Sequence, residues 1–428
     1  MSEPRSAAWI EAYEALAEEI DRWIAGAIRR NQELPFAGGH DECNYTAPWA
    51  TFAALTGEPA PMQFCKRLRD QLLSWPELYH GFYPDAKWDI EHSVENWTVF
   101  MTALAQADPG DEVTLDGIED VVHHLGNWAE GVPEWFDWRK KRFVSEWVGT
   151  REVRDRPPWD FSTYWDARAS ELALTYYDLR GEERYLEFAI AFATGWAEHI
   201  LAQDDLGYWL MLDADPADRE AFRAAYGEYP ESFHARNIGW LPEIMEHMLH
   251  VYSRVGGEML REASLKIIEL GPDAIARDRG ARPETWRWKR DYQQRTGDLR
   301  FADEVAAGEG ALVAAALQAA QQPLPTVVML EGLAPYPARK YAWRNQAGAL
   351  EEPAGPSAEQ MMDACALSGA QELGVRAMEL AARELHLAAT TLRDGREHGC
   401  NGRFIHGAGG TAVRVLVAAD AGRAGQAQ

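Results

Sequence analysis

The chain has 428 residues, 46% of them hydrophobic, and carries 42 basic against 68 acidic side chains for a formal charge of −26. Such a length buries a large core and permits two or three ordinary domains, while the negative field repels phosphate backbones and anionic membrane surfaces, so nucleic acid and membrane are both excluded as partners. No eighteen-residue apolar run exists, the start "MSEPRSAAWIEAYEALAEE" is acidic and amphipathic, and Cys43, Cys65, Cys365 and Cys400 form no C-x-x-C pair. The expectation is a cytoplasmic protein without an export signal, zinc ribbon or disulfide framework.

Taken in chain order, the elements are helices punctuated by glycine. "TFAALTGEP" closes a helix at Gly57, and "KWDIEHSVENW" at 87–97 opens another that runs into the apolar "TVFMTALA". "ASELALTYYDLRG" sets Leu172, Tyr176 and Leu179 on one face before a stop at Gly181. "YLEFAIAFATGWAEHIL" follows with Phe188, Phe192 and Trp196 at i, i+4 and i+8. "HVYSRVGGEMLREA", "RDYQQRTGDLRFAD" and "CALSGAQELGVRA" repeat the stop at Gly256, Gly297 and Gly369, and "TVVML" at 326–330 is the best strand. The reading is all-α, with long connections over 149–161 and 204–232, one catalytic domain over 1–419 and a flexible tail over 420–428.

The turn "Y-x-x-x-G-E-x-x-Y-L-E-x-A" at 177–189, followed by "HILAQDDLGYWLMLD" at 199–213, resembles the helical hairpins of the (α/α) toroid enzymes. These include glycoside hydrolases, polysaccharide lyases and sugar epimerases. The resemblance covers most of the chain and implies an (α/α)6 toroid whose cleft-side loops carry the chemistry.

Four polar, glycine-punctuated helix entrances are the candidate cleft. "KWDIEHSVENW" places Trp88, His92 and Glu95 on one helical face with Asn96 beside them and Asp89 on the adjoining stripe. "YHGFYPDAKW", just upstream, adds His80 and Tyr83. "GGHDECNYTAPW" holds His40, Asp41, Glu42, Asn44 and Tyr45; "SFHARNIGW" holds His234, Arg236 and Asn237; "DGREHGCNGRFIHGAGG" holds Arg396, His398, Asn401, Arg403 and His406. Histidine, tyrosine, asparagine and arginine together suit β-elimination at a uronate, which needs a neutraliser for the carboxylate, a base for the α-proton and an acid for the leaving oxygen.

"ENWTVFMTALA" is also loosely similar to the asparagine-bearing helix of the toroid alginate lyases, with Trp97 where that motif has its histidine. The assignment that follows makes Asn96 or Asn237 with Arg236 the carboxylate neutralisers and His92, His234 and Tyr45 the acid/base groups, with Glu95 completing the catalytic set. His40, Asp41, Asn44, His80, Tyr83, Trp88, Asp89, Trp97, Asn237, His398, Arg403 and His406 are expected to bind substrate. Hydrolysis is the rival chemistry, drawing a carboxylate pair from Asp41, Glu42, Asp89, Glu95 and Glu146.

Two further motifs stand apart. "EIMEHMLH" aligns Glu243, His247 and His250 as a possible metal face, and "QDDLGYW" at 203–209 is similar to a turn of the isoprenoid-cyclase toroids. A helical-repeat binding scaffold is the non-enzymatic alternative. No cofactor or metal is implied; the expected partner is a small oligosaccharide, and the oligomeric state is left open.

Overall fold

The computed structural model describes residues 5–32, 43–155, 160–204, 206, 210–212, 241–279, 282–324, 326–330, 340–344, 350–351, 355–391 and 400–424. Among them the chain is mainly α-helical with a few short antiparallel strands, and no helix is long and apolar enough to cross a membrane. Backbone contacts divide it into two compact units, one of Met1–Leu72, Val99–Gly110 and Ala306–Gln428, the other of Leu73–Thr98 and Asp111–Val305.

The first unit is built on α1 (Ala7–Asn31), whose N-terminus is capped by the Ser6 hydroxyl accepting from the Trp9 amide. Its apolar face lies against α14 (Gln371–Thr391) and α15 (Cys400–Ala424). Two indoles of α1 are received by glycines of these partners: a Cβ on Gly374 would lie 2.0 Å from Trp9 Cζ3, and one on Gly409 would lie 2.3 Å from Trp23 Cη2. Any side chain there would exclude the ring. Trp23 in turn meets Trp49 of α2 (Ala47–Thr56) edge-on at 5.6 Å, with Tyr45 and Phe64 each 5.2 Å from Trp49. The "TVVML" segment forms β5 (Thr326–Leu330), paired antiparallel with β6 (Lys340–Arg344).

The second unit holds α4 (Ile90–Glu95), α6 (Glu112–Leu125), the hairpin of β1 (Phe136–Asp137) and β2 (Arg142–Phe143), and β3 (Phe161–Thr163) paired with β4 (Leu210–Leu212). Helices α7 (Ala167–Arg180), α8 (Glu183–Ala202), α9 (Leu241–Val255), α10 (Glu258–Arg279) and α11 (Trp286–Thr296) follow, with α7 on α8, α8 on α10, α9 on α10 and α9 on α11. Phe188 and Phe192, aligned on α8 as their spacing predicts, pack on Phe143 of the hairpin at 6.0 and 5.7 Å.

The glycine stops are observed. Gly57, Gly181, Gly256, Gly297 and Gly369 have φ between 71° and 77°, and each N–H returns to the carbonyl four residues earlier at 2.7–2.9 Å. A left-handed residue closes the last turn, and glycine adopts it without a Cβ penalty. The glycine-rich segment near the C-terminus is helix from Cys400 onward, and Gly409 within it makes room for Trp23. The same helix runs through Ala424 and so takes in the first residues of the expected tail.

Candidate functional site

The site is assembled at the entrance of α4. Asp89 is its N-cap, extended at φ −66° and ψ 166°, and its carboxylate accepts from the His92 amide at 2.9 Å. The same cap brings the His92 ring back over Asp89, so that Nδ1 lies 2.8 and 2.9 Å from the two carboxylate oxygens. Ile90 N–H donates to Glu146 O at 2.9 Å, and Asp89 bridges to Trp147, so a second backbone segment fixes where the helix starts. Trp88 lies before the helix rather than on its face, with its ring 6.1 Å from that of His92.

Glu91 is buried beneath His92, with Oε2 3.2 Å from Nδ1. Its other oxygen accepts from Arg168 of α7. The guanidinium of Arg168 also stands 3.6 Å from Glu243 of α9 and lies over the Trp165 ring at 5.0 Å. Three helices and the turn ahead of α7 therefore contribute to one ionic cluster. Asp166, buried close by in sequence, closes a capping box with Thr163 and accepts from Ser162 Oγ at 2.7 Å. Immediately after Glu95 the helix widens to π geometry over Asn96–Met101, a local loosening associated with functional sites, and Asn96 Oδ1 is buried without a hydrogen-bond partner among the described residues.

Protonation follows from this packing. Burial alone would pull His92 down, but the hydrogen bond and charge of Asp89, with Glu91 and Glu95 behind it, carry it up to about 9. Burial pushes the Glu91 carboxyl up to about 8 against the pull of Arg168 and His92. Asp166 is likewise pushed up to about 7 by burial, which outweighs its hydrogen bonds. Glu243 is raised by burial against Arg168. At neutral pH the cluster thus holds a cationic imidazole beside a carboxyl that retains its proton.

Asp89, Glu91 and His92 are the one group among the described residues with donor atoms close enough to hold a metal ion, all within 4.8 Å of one another. In this arrangement those donors satisfy each other. The "EIMEHMLH" face divides instead of converging: Glu243 turns to Arg168, whereas His247 and His250 both donate from Nδ1 to Glu171 Oε1 at 2.8 and 2.7 Å. Burial works against the Glu171 charge, but the two imidazole hydrogen bonds hold it down at about 2. This motif is an ion cluster between α7 and α9, not a metal face.

The remaining sequence candidates are placed as follows. His80 sits in a tight turn at φ 50°, its Nδ1 2.6 Å from Asp120, and Tyr83 is half-buried beneath the Lys87 ammonium. Trp97 is 2% exposed and packs in the core of the second unit. Tyr45 belongs to the first unit, 2% exposed, with its phenol oxygen accepting from Asn31 at 3.0 Å; its surroundings are those of a core residue. Asn44, in the same unit, is buried with neither amide atom hydrogen-bonded among the described residues.

His40, Asp41, His234, Arg236, Asn237 and His398 lie outside the described residues, as do the side chains of Arg403 and His406. The structure therefore unites Trp88, Asp89, His92 and Glu95 from the opening motif, and adds Glu91, Arg168 and Glu243. Arg168, in "DARAS", carries no local signal, since only tertiary packing brings it to α4. Comparison of the chain with family models, with curated proteins and with solved structures found no match.

Proposed function

We propose that the protein is a carbohydrate-active enzyme that cleaves a uronate-containing oligosaccharide by β-elimination at the α4 entrance. The observation that carries this reading is the Asp89–His92 pair set directly against the Glu91–Arg168 pair. Asp89 engages Nδ1, which leaves proton transfer to the other ring nitrogen of His92. Arg168 is the cation suited to a substrate carboxylate, and its charge is the less neutralised the longer Glu91 keeps its proton. Trp88 offers an indole to the C–H face of a pyranose. In the step itself the base takes the proton alpha to the carboxylate, the C–O bond beta to it breaks, a C=C bond forms, and the leaving oxygen takes up a proton.

A second reading is favoured by one observation: a buried carboxyl raised to about 8 is a general acid at neutral pH, which suits glycoside hydrolysis with Glu91 as the acid. Helical hairpins closed at Gly181 and Gly256 support the (α/α) toroid as the architecture. The deciding experiment incubates the protein with neutral and uronate-containing oligosaccharides while following unsaturated-uronate absorbance and new reducing ends together. Both signals rising support elimination; reducing ends alone support hydrolysis. An unimpaired, folded His92→Ala protein would remove the basis of the elimination reading, and an unimpaired, folded Glu91→Gln protein that of the hydrolysis reading.

A further inference from the structure

The sequence contains a single run of four consecutive basic residues, Arg139-Lys140-Lys141-Arg142, in a chain of formal charge −26. The structure puts this run at the tip of the β1–β2 hairpin, directly after Trp138, the one exposed tryptophan among the described residues at 40%. The tip is held rigidly. Asp137 Oδ1 accepts from the amides of Arg139 and Lys140 at 2.9 and 3.0 Å, and Trp138 Nε1 donates to Gly126 O at 3.3 Å. The Lys141 backbone presses so closely on α8 that a Cβ on Gly195 would lie 2.3 Å from its carbonyl oxygen.

The four cations are not equivalent. Arg142 is buried and donates to the carbonyls of Phe143 and Asp160, and Lys141 is paired with Glu198 at 2.5 Å. Lys140 stands 3.7 Å from Asp137, and Arg139 is exposed with no ion-pair partner among the described residues. What faces outward is one indole followed by the exposed Arg139, with the half-buried Lys140 beside Asp137.

We propose that this tip is a non-catalytic subsite for an anionic glycan, with a pyranose stacked on Trp138 and its carboxylates met by Arg139 and Lys140. Nucleic acid binding draws its affinity from many phosphate contacts, more than a single indole with two neighbouring cations supplies, so a short acidic glycan is the favoured ligand. The choice of partner rests on the glycan reading of the α4 site, but the test is separate from turnover.

Binding of oligogalacturonate, oligomannuronate and a neutral oligoglucan is measured by calorimetry on the full chain at two salt concentrations. In the His92→Ala background, which prevents cleavage, the expected result is salt-sensitive binding of the oligouronates alone at two sites, one of which is weakened at least tenfold by Arg139→Glu/Lys140→Glu and by Trp138→Ala. Oligouronate binding unchanged in the charge-reversed protein, no binding of either oligouronate, or equal retention of polyglutamate and single-stranded DNA would each overturn the assignment. Binding without cleavage by the unsubstituted chain would sink the lyase reading and leave this one standing.

Discussion

Asp89→Asn isolates the electrostatic role of the cap. Asparagine is as good an N-cap as aspartate, so α4 keeps its start, while the charge beside His92 disappears. His92 is carried from 6.5 to about 9 in the folded protein. At 1.36 kcal/mol per unit that shift corresponds to about 3 kcal/mol of preference for the imidazolium, drawn mainly from Asp89. Because the folded value is raised, this stabilisation is complete below pH 6.5 and is lost as pH rises through about 9.

A neighbouring opposite charge accounts for roughly 1–3 units, so the variant's His92 is expected to titrate about 1–3 units lower and the protein to lose about 1–3 kcal/mol at pH 6. At alkaline pH, where the ring is neutral in both proteins, the two stabilities converge. The His92 ring signals followed by NMR across pH, with denaturant unfolding at both ends of the range, measure these quantities. A His92 inflexion that stays near 9 in Asp89→Asn would refute the electrostatic reasoning.

Other outcomes follow from the same geometry. If His92 is the base of the elimination, kcat/KM rises with pH up to about 9, and this rising limb moves to lower pH in Asp89→Asn; a flat profile argues against this role. Glu171→Gln removes a carboxylate held at about 2, whose stabilisation is present above pH 4.5 and lost as pH falls through 2. A loss of about 2 kcal/mol is expected at neutral pH, discounted for the part-exposed carboxylate, and chemical denaturation at pH 7 and pH 2.5 should show the difference shrinking in acid. Gly374→Ala would force a methyl to within 2.0 Å of Trp9, and overpacking of this kind costs about 1–3 kcal/mol, measurable as a lowered Tm with quenched or shifted indole fluorescence.

The helical class, the glycine stops and the one good strand were legible in the sequence because each has a local cause: apolar spacing, a left-handed closing residue, a β-branched run. The opening motif was legible for the same reason, since Asp89, His92 and Glu95 lie within one helix entrance. The burial of Trp97 was not legible, because a tryptophan beside polar residues carries the same local signature whether its ring turns to solvent or to the core. Arg168 and Glu243 were invisible as site residues, their approach to Glu91 being a product of how α7 and α9 pack. In the glycine-rich C-terminal segment the role of Gly409 was not legible, since only the packing of α1 against this helix shows that it receives an indole.

Glycine sockets of this kind bind distant parts of the sequence to a shared history. Trp9 and Gly374 fit only as a pair, as do Trp23 and Gly409. Shrinking the indole alone leaves a void, enlarging the glycine alone evicts the ring, and the two changes made together offset one another. The energetic sign of a substitution at one position is therefore set by the residue at the other. Change at these places must travel in compensated steps, and a designer who wishes to repack α1 has to edit α14 and α15 in the same move.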